Sequence, residues 1–512
     1  MQRLNNRKSS LLNSVSSVLS QFVSAILGIY SRRVFLTYLG VELLGLSSTF
    51  TSIITIASLA ETGLGTCIIY RLYDALQNED EEDINELLNV ARLFFSFIGF
   101  GIIIVAVLFS PFLKVVITGI QVNFKVYIYF YLQVLSTASS YFLAYKRLLL
   151  TADKRDFVAK FTDTGTNILF SILKIITCVY LKNFIVYLIF SWMQVVLSNI
   201  ILHISCQKIY PYLRYDRGNK ERLRELWPDM KNLFWGGVSA YLFTAADNLI
   251  LSIGVNTVLV GYLGNYTMVT STLKSFILNL VLFMGPVIGN EVAASNESNK
   301  KVNDYLRLYD FALYFISTMI IIPEFVLLQD FVSKICGPQY LLSNLIVVLI
   351  VMDQYITIVQ DSNGVFLSAT GKFRELRIAD TCAAISNIAL SIIFCKFWGL
   401  AGVLFGTVVS RILQWIFKAY YTRNNSMLRI DNRLGRYIVR SLVKMICFCI
   451  IAAIEYNVYK MIVIDIFGVK FVLSGIVCVG ISLVIISLVF LYNGDTQLAF
   501  CLIRKKRVLK CK

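Results

Sequence analysis

Apolar runs of about twenty residues, separated by short polar segments, recur from one end of the chain to the other. A run of that length matches one helix across the ~30 Å hydrocarbon core of a bilayer. The pattern predicts spans at 11–37, 42–69, 87–110, 122–145, 157–181, 184–206, 231–253, 264–290, 305–329, 340–369, 375–396, 398–421, 437–459 and 468–492. The expected fold class is an all-α polytopic membrane protein with about fourteen transmembrane helices. The opening segment, MQRLNNRKSS, is polar and basic, and the run after it is too long for the apolar part of a cleaved signal.

Composition agrees with the pattern. Of the 512 residues 57% are hydrophobic and 15% charged, against about 25% charged in soluble proteins. The net charge of +17 gains its meaning from where the charges lie. With both termini placed in the cytoplasm, 35 of the 48 lysines and arginines fall in inside segments and nine in outside ones. That bias sets the expected orientation. The basic tail IRKKRVLKCK (503–512) needs only the anionic inner leaflet as partner, at about 1 kcal/mol per residue near the surface. Membrane lipids rather than nucleic acid are therefore the expected contact. The acidic run QNEDEEDINE (77–86) lacks the turn glycine of a calcium loop and reads as a solvated cytoplasmic connection.

Catalytic chemistry finds little footing. Eleven cysteines with no CxxC pair, several inside spans (Cys178, Cys382, Cys447, Cys449, Cys478), read as small apolar residues. The single histidine, His203, rules out a multi-histidine metal site and reads as an interfacial residue at a helix end. No Ser/His/Asp set, metal cluster or phosphate-binding loop is visible, so neither enzyme activity nor a cofactor is expected. The nearest enzyme alternative is a membrane glycosyltransferase or polymerase acting on lipid-linked sugars. Such an enzyme would carry a sizeable loop with clustered acids, and the longest connection, near 207–230, is basic.

The chain also repeats. RVFLTYLGVELLG (33–45) lies over DNLILSIGVNTVLVG (247–261), with Arg33 to Gly40 and Asp247 to Gly254 equally spaced and Gly-Val following in both. Each stretch ends the first span of a six-span block. Six is even, so the blocks enter the membrane in the same sense, as in parallel-repeat transporters with a site between the halves. The expected domains are an N-lobe at 1–215, a C-lobe at 216–430, an extra helix pair at 431–492 and a basic cytoplasmic tail at 493–512. Glycines and a proline interrupt the second span of each block, in AETGLGT (60–66) and GPVIGNE (285–291), either to line a cavity or to pack helices closely.

Three stretches carry a family resemblance: RRVFLTYLGVELLGLSSTFTSIITIASLAETGLGTCIIYRLYDAL (32–76), DNLILSIGVNTVLVGYLGNYTMV (247–269) and GVFLSATGKFRELRIADTCAAISNIALSIIFCKFWGLAGVLFGTVVS (364–410). With the span layout, the chain resembles the Wzx-type oligosaccharide flippases of the multidrug/oligosaccharidyl-lipid/polysaccharide exporter superfamily. The resemblance implies a flippase for undecaprenyl-pyrophosphate-linked repeat units in a bacterial cytoplasmic membrane, serving capsule, O-antigen or exopolysaccharide synthesis. It implies alternating access through a cationic central cavity, with polysaccharide polymerase and glycosyltransferases as partners. Spans 13 and 14 resemble the extra pair of lipid-handling members, which counts against a cation-coupled multidrug exporter, the remaining alternative.

A diphosphate crossing the membrane needs fixed cations, for which arginine offers a planar fork and lysine a point charge. The substrate-binding candidates are Arg32, Arg33, Lys174, Asp247, Lys274 and Arg411. Adjacent Arg32 and Arg33 point about 100° apart on a helix, and the repeat favours Arg33 as the cavity residue. Glu61, Asp353 and Asp361 are candidates for ion coupling or for pairing with the cavity cations. Asp353 and Asp361, two turns apart in one span, are expected near one helix face, and Asp380 is expected to pair with Arg374 or Arg377. An inside-negative potential of 100 mV would favour outward movement of a dianion by about 4–5 kcal/mol.

Overall fold

The computed structural model describes residues 6–58, 64–214, 245–281, 284–293, 300–424, 434–462 and 466–490, with a few single positions between them. Glu61, most of the basic connection after residue 214 and the tail at 493–512 lie outside the described residues. Every regular element described is helical, and among the described residues there is no strand.

The helices are α1 (Asn6–Tyr38), α2 (Val41–Ala57), α3 (Leu64–Gln77), α4 (Glu81–Phe109), α5 (Phe124–Ala152), α6 (Asp156–Ile176), α7 (Phe184–Ile209), α8 (Ala245–Gly254) and α9 (Thr257–Val281). They continue as α10 (Met284–Ala293), α11 (Lys300–Ile335), α12 (Asn344–Val359), α13 (Asp361–Ala369), α14 (Phe373–Arg423), α15 (Leu434–Met461) and α16 (Phe467–Phe490). Among the described residues nine helical segments are long and apolar enough to cross a membrane, or ten if α9 and α10, bent by 41°, form one span. The longest of them, α14, contains two expected spans. Gly399, at φ 55, folds it back on itself. Its arms then approach so closely that a Cβ on Gly402 or Gly406 would strike the backbone of Phe394 or Ser391.

Local sequence sets the helix ends. The acidic run at 77–86 proves to be a turn and a helix start: the Asp80 carboxylate accepts from the amides of Glu82 (3.1 Å) and Asp83 (3.0 Å), beginning α4. Negative side chains in a first turn suit the positive end of the helix dipole. Asn123 caps α5 through Val126 N at 3.3 Å, and Asn183 caps α7 through Ile185 N at 2.9 Å.

The described residues form two compact units, Met1–Gly264 and Asn265–Lys512. In the first, α5 packs on α4 and α7, while α1 packs mainly on α6. Phe50, Ile68, Leu72, Ile84, Leu87 and Phe130 anchor its core. In the second, α14 packs on α12 and α13, and the C-terminal helices α15 and α16 pack on α11. The unit boundary falls inside α9 because its first residues are bonded to the first unit, with Thr257 N donating to Thr118 O at 3.1 Å.

The repeat is offset from its sequence register. Gly40, at φ 86, forms the turn between α1 and α2, whereas its sequence match Gly254 is the last residue of α8. The second copy has two more residues between Gly-Val and the next glycine (GVNTVLVG against GVELLG), so its turn slides to Val255–Asn256. Gly45 and Gly261 then become the equivalent positions.

Candidate functional site

In the first unit the polar positions of α6 fall at helical spacing: Asp163, Asn167, Ser171 and Lys174. They face hydroxyls on α1 and amides on α7. Ser20 Oγ shares a 2.6 Å hydrogen bond with Thr164 Oγ1, and Asn167 Nδ2 donates to Ser24 Oγ at 3.3 Å. Gln194 Nε2 donates to Asn167 Oδ1 at 3.4 Å, and its own carbonyl accepts from Lys174 Nζ at 2.9 Å. The Lys174 ammonium also stands 5.7 Å from the centre of the Tyr187 ring. Immediately beyond it, α6 widens into a π-turn, Thr177–Leu181, which ends at Lys182 in the left-handed region (φ 48). Among the described residues no carboxylate lies within ion-pair distance of Lys174. Nearer the start of α6, Asp163 pairs with Arg147 and accepts from Ser198 Oγ at 2.7 Å.

Arg32 and Arg33 part company on α1. Arg33 is exposed and continues a stripe of exposed side chains that includes Val15, Phe22, Ile26 and Tyr30. Arg32 is half-buried, its Nη1 3.8 Å from where a Cβ on Gly264 would stand, beside Ser48. Asp247 is half-buried on α8, and the next residue, Asn248, donates to Ser52 Oγ at 3.1 Å.

The second unit is built differently. Arg411, Gln414 and Lys418 follow one face of the second arm of α14. Arg411 Nε donates to Asp353 Oδ1 of α12 at 2.9 Å, and Arg411 Nη1 to Gln414 Oε1 at 3.2 Å. Gln414 Nε2 donates to Asp380 Oδ1 at 2.8 Å, and Lys418 Nζ lies 2.8 Å from that carboxylate. Gln360 Nε2 closes on Gln414 Oε1 at 2.8 Å. Lys274 of α9 is half-buried, near enough to Asp353 and Arg411 to feel both charges. Among the described residues no carboxylate lies within ion-pair distance of Lys274.

Asp361, the first residue of α13, accepts from Tyr309 OH at 2.7 Å. One expectation is corrected here. Asp380 pairs with Lys418, not with Arg374 or Arg377, because the arms of α14 fold back at Gly399 and bring residue 418 alongside residue 380.

Further along α14 the Arg423 guanidinium lies 4.1 Å from the Tyr437 ring centre of α15 and donates to Asp310 Oδ2 at 3.1 Å. The Tyr437 hydroxyl accepts from Asn363 Nδ2 at 2.9 Å and Trp415 Nε1 at 3.1 Å. The bonding groups that sequence reasoning missed are mostly amides: Asn167, Gln194, Gln360 and Gln414. For Asn167 and Gln414 a signal was available, as polar residues three or four positions from a charged one within an apolar helix.

No protein-family profile matches this sequence, and no curated protein does. Solved structures match in fold. The lipid II flippase MurJ, in an inward closed conformation, aligns at 16% identity and TM-score 0.68, over 94% of this chain and 99% of its own. An inward-facing multidrug resistance MATE family transporter of the MOP superfamily aligns at 14% identity and TM-score 0.59, over 78% of this chain and 94% of its own. The MATE multidrug transporter DinF-BH gives 17% identity and TM-score 0.54, over 82% of this chain and 97% of its own. The chain is therefore a polytopic helical membrane protein with the fold that MurJ and the MATE transporters of the MOP superfamily share.

Proposed function

We propose that the protein is a flippase for an undecaprenyl-pyrophosphate-linked oligosaccharide in a bacterial cytoplasmic membrane, working by alternating access with both termini inside. In this reading the lobes are 1–215 and 216–430, residues 431–492 are an extra pair serving the lipid, and polymerase and glycosyltransferases act on either side of the step.

One observation carries the reading. Each unit holds a half-buried lysine, Lys174 or Lys274, that is in no ion pair among the described residues, whereas Arg411, Lys418 and Arg423 are paired with acids. A cation inside a membrane with no ion-pair partner is costly, a cost that an arriving anion lowers. The amides and hydroxyls around Lys174 are the partners a sugar requires, and the likeness to a lipid flippase over 94% of the chain supports a lipid-borne cargo.

The second reading is a cation-coupled multidrug exporter, and Asp361 favours it: this carboxylate is bonded to Tyr309 and is in no ion pair among the described residues. Vesicles loaded with an undecaprenyl-pyrophosphate-linked oligosaccharide distinguish the two. Flipping is read as access of an impermeant sugar-oxidising reagent, and Lys174→Gln and Lys274→Gln should each lower it about tenfold, the weight of ~1.4 kcal/mol. Wild-type rates in both variants would overturn the reading, and export of a cationic rhodamine dye by the wild type would establish the second.

A further inference from the structure

We propose that the facing sides of α11 and α12, in the second unit, hold an alkali-metal cation that fastens the two helices together. Glu324 is its one charged ligand, with Gln354 and Thr357 as neutral ones.

Glu324 lies inside an expected span, is only 7% exposed, and is in no ion pair among the described residues. Its one partner is Gln354 of α12, 3% exposed, whose Nε2 donates to Glu324 Oε2 at 2.9 Å. What is left over is oxygen. Glu324 Oε1 and Gln354 Oε1 are both buried and have no hydrogen-bond partner among the described residues. One turn along α12 the Thr357 hydroxyl is in the same condition. Thr318 on α11, by contrast, returns its hydroxyl to Tyr314 O at 2.7 Å, as threonines inside helices commonly do. Pro323, immediately before Glu324 and inside α11, has no N–H to give the Met319 carbonyl, so a further oxygen of that turn loses its helical bond.

Unmet acceptors buried in an apolar span are costly, and the group that answers them must be electron-poor. A proton on Glu324 serves a bridge to Gln354 Oε1 and leaves the Thr357 hydroxyl and the Met319 carbonyl as they are. A dehydrated alkali cation serves several oxygens at once, since carbonyl and carboxylate oxygens replace its hydration shell. The charge also fits. One carboxylate balances one positive charge, and among the described residues no three His, Cys, Asp or Glu side chains gather as a divalent ion would need. The neighbouring Asp353 does not join in, because it is turned about 100° round α12 and is paired with Arg411. The C-terminal helices α15 and α16 pack on α11, so the cation steadies the helix on which that pair sits.

Stability, not transport, is the readout, which keeps the test apart from the identity of the cargo. The full chain is purified in detergent in choline chloride, and thermal unfolding is followed as sodium or potassium chloride replaces the choline salt at constant ionic strength. The midpoint should rise with at least one alkali cation and then level off, as a saturable ligand of the folded state requires. Glu324→Gln should abolish the rise. Gln354→Met, which keeps the length of the side chain and removes the amide oxygen, should raise the half-saturating concentration about tenfold. Asp361→Asn should keep the full rise, which separates this site from the carboxylate that favours the exporter reading. Should Glu324→Gln fail to fold, Gln354→Met carries the test. A rise that survives unchanged in Glu324→Gln or in Gln354→Met would overturn the site. So would equal midpoints in all three salts, and if Glu324→Gln then matched the wild type, Glu324 would be a neutral acid sharing its proton with Gln354.

Discussion

Replacing Asp353 by Asn probes the charge balance of the second unit most directly. The carboxylate lies 2.9 Å from Arg411 Nε, with the two side chains 28% and 14% exposed. At that distance the Coulomb attraction is ~5–6 kcal/mol with an effective dielectric of about 20. Desolvation of both ions and partial exposure reduce the net coupling to about 1–3 kcal/mol. The two single variants should differ. Asp353→Asn leaves Arg411 and Lys274 as neighbouring cations with no acid between them, whereas Arg411→Gln leaves Asp353 with Lys274 still acting on it. Asp353→Asn should therefore be the more destabilising, and the double variant should be more stable than the sum of the singles implies. The assay is a double-mutant cycle on unfolding free energy in detergent. A coupling below about 0.5 kcal/mol, the limit of ordinary non-additivity, would refute the argument. So would a larger loss in Arg411→Gln than in Asp353→Asn.

Two further variants test how the second unit is held together. Gly402→Ala places a Cβ against the Phe394 carbonyl and should cost about 1–3 kcal/mol of stability as overpacking, read as earlier thermal unfolding; an unchanged midpoint would mean that the arms of α14 are not in backbone contact. Tyr437→Phe keeps the ring over Arg423 but removes the acceptor shared by Asn363 and Trp415. Buried Asn363 and half-buried Trp415 losing that partner should cost about 2 kcal/mol, and Tyr437→Leu about 1 kcal/mol beyond that through the lost cation–π contact. Equal stability of the Phe variant and the wild type would remove the hydroxyl from the joint.

The helices were legible because burial in a bilayer imposes one pattern, a long apolar run, whatever the tertiary partners. Where that pattern misled, the cause was local geometry. Within the run at 340–369, hydropathy does not mark Gln360, whose amide bonds Gln414 across 54 positions of sequence. The pairing of Asp380 depended on a fold-back at Gly399, which a glycine permits but does not announce. Charged candidates stood out singly, since each is costly in an apolar span. Which of them had a partner was invisible, because ion pairs such as Arg411–Asp353 join distant segments. The repeat was visible in Gly-Val, but its register was set by the backbone contact of Gly45 and Gly261, residues that composition marks only as small.

The two units handle charge in opposite ways, and the contrast has a consequence for transport. On α14 the cations Arg411, Lys418 and Arg423 are each matched by an acid, so these three charges are met without cargo. On α6 the deep cation Lys174 is held by an amide carbonyl and an aromatic face. Such neutral partners orient a lysine but leave its charge for something else to neutralise. An ion-pair ladder resists a second anion, because binding it means competing with a carboxylate already in place. An amide-held lysine offers its charge at the cost of a single neutral hydrogen bond, about 0.5–1.5 kcal/mol. For the anionic cargo proposed above, Lys174 is therefore a more available contact than the paired cations of α14.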